Sequence, residues 1–263
     1  MTVLVLAGTR EAAQIAKALA EKGTPAVASL AGATRAPKPM PLPTRMGGFG
    51  GADGFAAYLR NARITAVLDA THPFALRITR RSAEICAAMG IPYAQVLRPA
   101  WEAGEGDNWT ILAQESEAAD HVPRGARVFL ATGRQTLMAF APLADKDCTL
   151  ICRQIDPPTG AFPFPKGEFM IGRPPFSVDD EIALFQLLGI EWLIVKNAGG
   201  EAPRSKLIAA RRLGIPVGMI ARPAQPDVLR FETIAPAIAW AEEGVGTGAE
   251  TPGETGAKAG GKI

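Results

Sequence analysis

Residues 89–100 read MGIPYAQVLRPA and residues 213–224 read LGIPVGMIARPA, sharing Gly, Ile, Pro, Arg, Pro and Ala at a spacing of 124 positions. The same spacing lays Leu4–Arg10 (LVLAGTR) over Val128–Arg134 (VFLATGR). Each half thus opens with an apolar strand ending in a glycine turn plus arginine. Each closes with a Gly-Ile-Pro strand ending in Arg-Pro. A repeat of this length is a domain, not a solenoid unit. The expected fold is α/β: two similar Rossmann-like domains, with mainly parallel sheets, facing a central cleft.

The whole chain bounds the function classes. Its 263 residues suffice for two domains of ordinary size, and 48% hydrophobic content supports real cores. A net charge of +2 provides no global field for nucleic acid or a membrane surface. Cys86, Cys148 and Cys152 form no metal-ligand pattern, so neither a metal nor a disulfide framework is expected. The opening MTVLVLAGTRE has no basic segment before its short apolar run and reads as a strand, not a signal peptide. A cytoplasmic protein, with a monomer favoured, is the expectation.

Strands are expected at Thr2–Ala7, Ala26–Leu30, Ala66–Asp69 and Tyr93–Leu97 in the first half. The second half offers Arg127–Ala131, Thr149–Arg153, Trp192–Lys196 and Val217–Ile220. Helical spacing runs over Glu11–Lys22, from Asp53 to about Asn61, and over Ala75–Met89. Ser177 can cap Val178–Leu188. Residues 35–45 (RAPKPMPLPTR) carry prolines at alternate positions and read as an extended loop. Asp156 to Phe176 reads as a long binding loop or lid. The expected boundaries are 1–98, 99–243, and a glycine-rich disordered tail, 244–263.

In parallel sheets, ligands bind outside the carboxyl ends of the strands. Gly8-Thr9-Arg10-Glu11 follows the first strand and opens a helix, whose free N–H groups can hold a phosphate. It is not the glycine fingerprint of ordinary dehydrogenases. A tight turn with a helix cap explains the same four residues. Thr71-His72-Pro73-Phe74-Ala75 follows the third strand, with Pro73 suited to a first helical turn. Gly133-Arg134-Gln135 repeats the first turn in the second half. Lys196-Asn197-Ala198-Gly199-Gly200 mirrors the His72 turn. Arg153, Arg173, Lys206 and Arg222 add positive charge near other strand ends. Each could be a solvated surface residue; together they suit a polyanion.

The blocks LAGTREA, DATHPFA, ATGR and KNAGG, followed by KLIAA and IPV…ARP, resemble in that order the precorrin-6A reductase family of cobalamin biosynthesis. The similarity runs from Val3 to about Pro223, and DATHPFA is its most specific block. The family usually carries two glycines before the first threonine, where this chain has Ala7-Gly8. The resemblance implies NADPH as cofactor and an anionic tetrapyrrole as substrate, one of whose double bonds is reduced. Their places at strand ends make Gly8, Thr9, Arg10, Glu11, Thr71, His72, Pro73, Phe74, Ala75, Gly133, Arg134 and Gln135 the expected cofactor contacts. Substrate contacts fall to Lys196, Asn197, Gly199, Gly200 and Arg222, and catalytic roles to His72 and Lys196.

Two other classes fit the bare pattern. A tetrapyrrole enzyme of the uroporphyrinogen-III synthase type would share the two-domain cleft without using a nicotinamide. A hinged binding protein would share the repeat, but such proteins are commonly exported. Ser29 and Leu30 stand where an acid reading a free ribose hydroxyl would end the second strand, and Arg10 and Arg35 are available for a ribose phosphate. Both features favour NADPH over NADH.

Overall fold

The computed structural model describes residues 2–32 and 39–246. Among these residues twelve strands form two six-stranded sheets, and every pairing is parallel. In chain order the first half holds β1 (Thr2–Leu6), α1 (Arg10–Glu21), β2 (Ala26–Leu30), β3 (Thr44–Met46), α2 (Ala52–Asn61), β4 (Ile64–Asp69), α3 (Leu76–Met89) and β5 (Tyr93–Val96). Then follow β6 (Trp109–Leu112), α4 (Ala118–His121), β7 (Arg127–Leu130), α5 (Ala141–Asp145), β8 (Thr149–Gln154), β9 (Gly167–Ile171), α6 (Val178–Leu188), β10 (Trp192–Lys196), α7 (Ser205–Leu213) and β11 (Val217–Ile220). The described chain ends with β12 (Leu229–Phe231) and α8 (Ile234–Gly246).

Both sheets are covered on two faces, which is why their strands read as apolar runs without alternation. In β1, Val3 and Val5 pack with Ile15 and Leu19 of α1 and with Ala237 and Ala241 of α8. Leu4 and Leu6 point the other way, to Phe55 and Leu59 of α2 and Cys86 of α3. In the second sheet, Phe129, Leu193 and Val195 meet Phe185 of α6 and Leu207 of α7. Val128, Leu130 and Ile194 meet Leu137, Phe140 and Leu143 on the opposite face. Ser177 caps α6 as its sequence suggests, with a reciprocal bond between its backbone and the Asp180 carboxylate.

The first sheet runs β12-β5-β4-β1-β2-β3 and the second β6-β11-β10-β7-β8-β9. The halves therefore exchange an edge strand. β6, next in the chain after β5, pairs with β11, and β12, next after β11, pairs with β5. The boundaries expected from sequence change accordingly: a cut at 98/99 assigns β12 and α8 to the wrong sheet. Gly244 lies within α8, packed so that a Cβ there would stand 2.9 Å from the Ala66 Cβ, so the segment starting at 244 is not all tail. Residues 247–263, and Arg35 in the proline segment, lie outside the described residues. Two expected loops contain edge strands: β3 ends the proline segment, and β9 lies inside Asp156–Phe176.

Candidate active site

Each sheet has one point where the strand order reverses, between β1 and β4 in the first and between β7 and β10 in the second. Crevices at such points are where open parallel sheets bind ligands. A cavity of about 230 Å³ lies at these strand ends, lined by His72 from the first half and by Thr132, Lys196 and Lys206 from the second. Arg98 and Trp101, on the connection between the halves, complete its wall.

At the first reversal point Thr9 ties the two central strands together. Its hydroxyl donates to Ala70 O at 2.7 Å and accepts from Ala12 N at 3.1 Å, capping α1. Gly8 has φ 134°, and a Cβ there would find nothing within 4 Å, so the backbone beside the α1 N-terminus is open to a ligand. Asp69 is fully buried, and its carboxylate accepts from Thr71 N at 2.9 Å and from Tyr93 Oη at 2.7 Å. Burial, then Asp69 beside it, push the Tyr93 phenol well above its usual pKa, which keeps Tyr93 a donor. This network fixes the turn that presents His72.

His72 opens to the cleft, yet its pKa is pushed down to about 4, by burial among the cleft walls first and by Arg98, Lys196 and Arg222 next. At neutral pH the ring is uncharged. Its Nδ1 accepts from Phe74 N at 3.3 Å, which assigns the remaining proton to Nε2. His72 is thus a neutral donor. Phe74 crosses to the core of the second half, and its ring centroid lies 5.5 Å from Lys196 Nζ.

Lys196, the counterpart of His72 at the repeat spacing, reaches the same cavity from β10. Its Nζ lies 3.2 Å from Thr136 Oγ1 and 3.4 Å from Glu115, which follows the exchanged strand β6. Lys206 lines the cavity beside it and donates to Pro203 O at 2.6 Å. Burial, opposed by Glu181 and reinforced by Arg153, brings its pKa down to about 8. Sequence reasoning noted Lys206 only as one of several cations. Its setting depends on the buried Arg153–Glu181 pair, which joins β8 to α6 and has no local signature.

Four residues expected to touch substrate make other contacts. Asn197 spends its side chain on Trp101, accepting from its N–H at 2.8 Å and donating to its carbonyl at 2.9 Å. Gly199 has φ 69°, and a Cβ there would stand 2.0 Å from Pro99 O. A Cβ on Gly200 would stand 2.8 Å from Arg98 Cδ. The double glycine thus admits the crossing segment between the halves. Arg222 donates to Arg98 O at 2.9 Å and to Asn197 O at 3.3 Å, while its Nη2 is buried without a partner among the described residues. Arg10, Arg134 and Gln135 are exposed at their turns. No group of three or more His, Cys, Asp or Glu among the described residues could hold a metal ion. No helix among them is long and apolar enough to cross a membrane.

The comparisons with known proteins agree with this architecture. The Rhodococcus erythropolis precorrin-6A reductase is 44% identical over 241 residues, covering 90% of this chain and 96% of that protein. The Rhodobacter capsulatus precorrin-6A reductase is 42% identical over 239 residues, covering 90% and 94%. A solved structure described as CobK precorrin-6A reductase superposes with a TM-score of 0.87 at 41% identity, covering 93% of this chain and 97% of that one. The family model for precorrin-6x reductase CbiJ/CobK matches residues 2–242. This chain belongs to the precorrin-6x reductase CbiJ/CobK family.

Proposed function

We propose that this chain reduces one double bond of precorrin-6A, an anionic tetrapyrrole, with hydride from NADPH, within cobalamin biosynthesis. The supporting observation is the presence of two dissimilar crevices: an open glycine turn at a helix N-terminus in the first half, and a cavity in which His72 of the first half meets Lys196 and Lys206 of the second. The first suits a pyrophosphate and the second the carboxylates of a macrocycle. A tetrapyrrole enzyme without a nicotinamide would have no use for the first.

NADPH supplies the hydride when bound. The residues present fit it. Gly8 allows close approach of a phosphate, and the α1 N–H groups receive it. At the end of β2, where an NAD-binding half would place an acid, stands Ser29, with Arg45 Nη1 2.8 Å from its hydroxyl. Arg45 stacks 3.8 Å from the Phe49 ring centroid, so a cation is held where a ribose phosphate would lie. His72 offers its Nε2 proton to the cofactor or the reacting ring. Lys196 and Lys206 orient substrate carboxylates, and Lys206 is placed to deliver a proton because burial makes its ammonium more acidic than an ordinary lysine. Both walls come from one chain, which supports a monomer as the working unit. The three buried free cysteines support a reducing, cytoplasmic setting.

Calorimetry should show tighter binding of NADPH than NADH, with the preference lost in Arg45→Gln. Anaerobic precorrin-6A should then oxidise bound NADPH in single turnover. Equal affinity for both nucleotides would refute the cofactor assignment, and a macrocycle that binds without oxidising NADPH would refute the reaction.

A further inference from the structure

A second cavity, of about 260 Å³, lies beyond the turn that follows β7. Ala131 and Thr132 of that turn line the first cavity, whereas Arg134, Leu137 and Met138 line the second. One large ligand seated in the cleft could therefore wrap the turn and enter both. Pro158, Pro163 and Phe169 supply the far wall of the second cavity.

Gln154, the last residue of β8, also lines this cavity and is 7% exposed. Neither Nε2 nor Oε1 has a hydrogen-bond partner among the described residues. Burying a primary amide without partners is costly, and a native structure rarely retains one without a use. The position is also informative. Gln154 sits at the end of the second central strand of its half, where the first half has Leu30 and the candidate adenosine site. The second half thus keeps a ligand pocket at the corresponding place, with an amide where a nucleotide-binding half would put its ribose-reading side chain.

We infer that this second cavity is a subsite for one carboxylate-bearing arm of the macrocycle, with Gln154 as its uncharged receptor and Arg134 at its rim. The inference rests on the proposed substrate class and adds a specificity residue to it. The amide N–H group donates to the carboxylate, and Arg134 supplies the opposite charge. Leu137, Met138 and Phe169 take the apolar stem of the arm. A second nucleotide is the rival occupant, but the cavity and the cleft are lined by the two ends of one short turn, Thr132 and Arg134, which favours the macrocycle.

The decisive experiment separates stability from binding. Gln154→Met keeps length and removes both polar atoms, so the free protein should gain about 2–5 °C in Tm as the orphaned amide disappears. The same variant should raise KM for precorrin-6A about 10- to 100-fold, the loss expected for one hydrogen bond to a charged group. Its kcat and NADPH affinity should stay at wild-type values. Gln154→Glu, which sets an anion opposite the arm, should raise KM further. Quenching of tryptophan fluorescence by uroporphyrin, a polycarboxylate macrocycle that is not the substrate, reads binding without turnover. Wild-type protein that binds uroporphyrin but fails to reduce precorrin-6A would refute the reaction and leave the subsite standing. A lower Tm in Gln154→Met would show a structural amide and overturn the inference. So would unchanged KM and uroporphyrin affinity, or a second equivalent of ADP bound by wild type and lost in the variant.

Discussion

Arg98, on the segment joining the halves, meets Glu11 of the first half, with Nη1 2.7 Å from Oε2 and both side chains largely withdrawn from solvent. The same guanidinium donates through Nε to Ala198 O and Gly199 O, each at 2.8 Å. One side chain therefore links the start of α1, the segment joining the halves, and the loop after β10. Its counterpart in the repeat, Arg222, donates to Arg98 O. The two Arg-Pro segments that first revealed the duplication are the places where the crossing connections hold each other.

Arg98→Ala should cost roughly 2–3 kcal/mol, because it strands a partly buried carboxylate and two carbonyls at once. For a protein of this size that is a fall in Tm of about 5–10 °C. Glu11→Gln, which keeps a hydrogen-bonding group and the carbonyl contacts, should cost less than half as much. Differential scanning calorimetry of the two variants checks the ordering; equal losses would mean that charge alone carries the link.

Gly199→Ala tests the packing of the crossing segment. The new Cβ would stand 2.0 Å from the Pro99 carbonyl oxygen, a backbone atom that cannot swing aside, at a φ of 69° that already disfavours alanine. A loss of roughly 2–4 kcal/mol is expected. Gly214→Ala provides the control, with a similar φ of 67° but no atom within 4 Å, and should cost about 1 kcal/mol. Urea unfolding of both measures the difference. Similar costs would assign the need for glycine at position 199 to backbone conformation alone.

The sequence made the central strands legible because Leu4–Leu6 and Phe129–Leu130 are apolar on both faces and end at glycine turns. It concealed the exchange of edge strands for a physical reason. β12 is three residues long, with Leu229 and Arg230 exposed, so no core pattern marks it, and its pairing with β5 is made by residues over a hundred positions away. β6 has the same weakness: Ile111 is 63% exposed. At the candidate site, His72 and Lys196 were visible as strand-end residues at matching positions. The tasks of Asn197 and of the double glycine were not, since both depend on the connection at Pro99–Trp101 packing against them. Gln154 gave no signal at all, because a glutamine at a strand end is ordinary until its burial is known.

His72 should remain uncharged throughout the neutral range. Nitrogen-detected NMR should show an Nε2-protonated ring that does not titrate above about pH 5, given its pKa near 4. The sign for stability follows. The folded pKa lies below the unfolded value of 6.5, so as pH falls from 6.5 toward 4 the unfolded chain takes up a proton that the folded one refuses. Stability is lost over that window, and His72→Asn should reduce the loss. The variant should also lower kcat more than it raises KM for the macrocycle. A ring that titrates near 6.5 would remove the electrostatic basis of this assignment.

Lys206 supplies the last test, through pH. With a pKa near 8 its ammonium is a much stronger acid than an ordinary lysine, and it lines the cleft where the macrocycle would lie. If it delivers the proton that accompanies hydride transfer, kcat should be level below about pH 8 and fall tenfold per unit above it. Lys206→Met should lower kcat roughly 100-fold or more and remove that limb from the profile. Lys206→Arg separates the two roles of a cation here. Its guanidinium keeps the charge for a substrate carboxylate but does not give up a proton in this range. Expected, then, is a KM close to wild type with kcat as low as in the Met variant. If the Arg variant instead restores kcat as well, Lys206 is an anchor for the substrate, and the proton comes from elsewhere, ordered water being the nearest alternative.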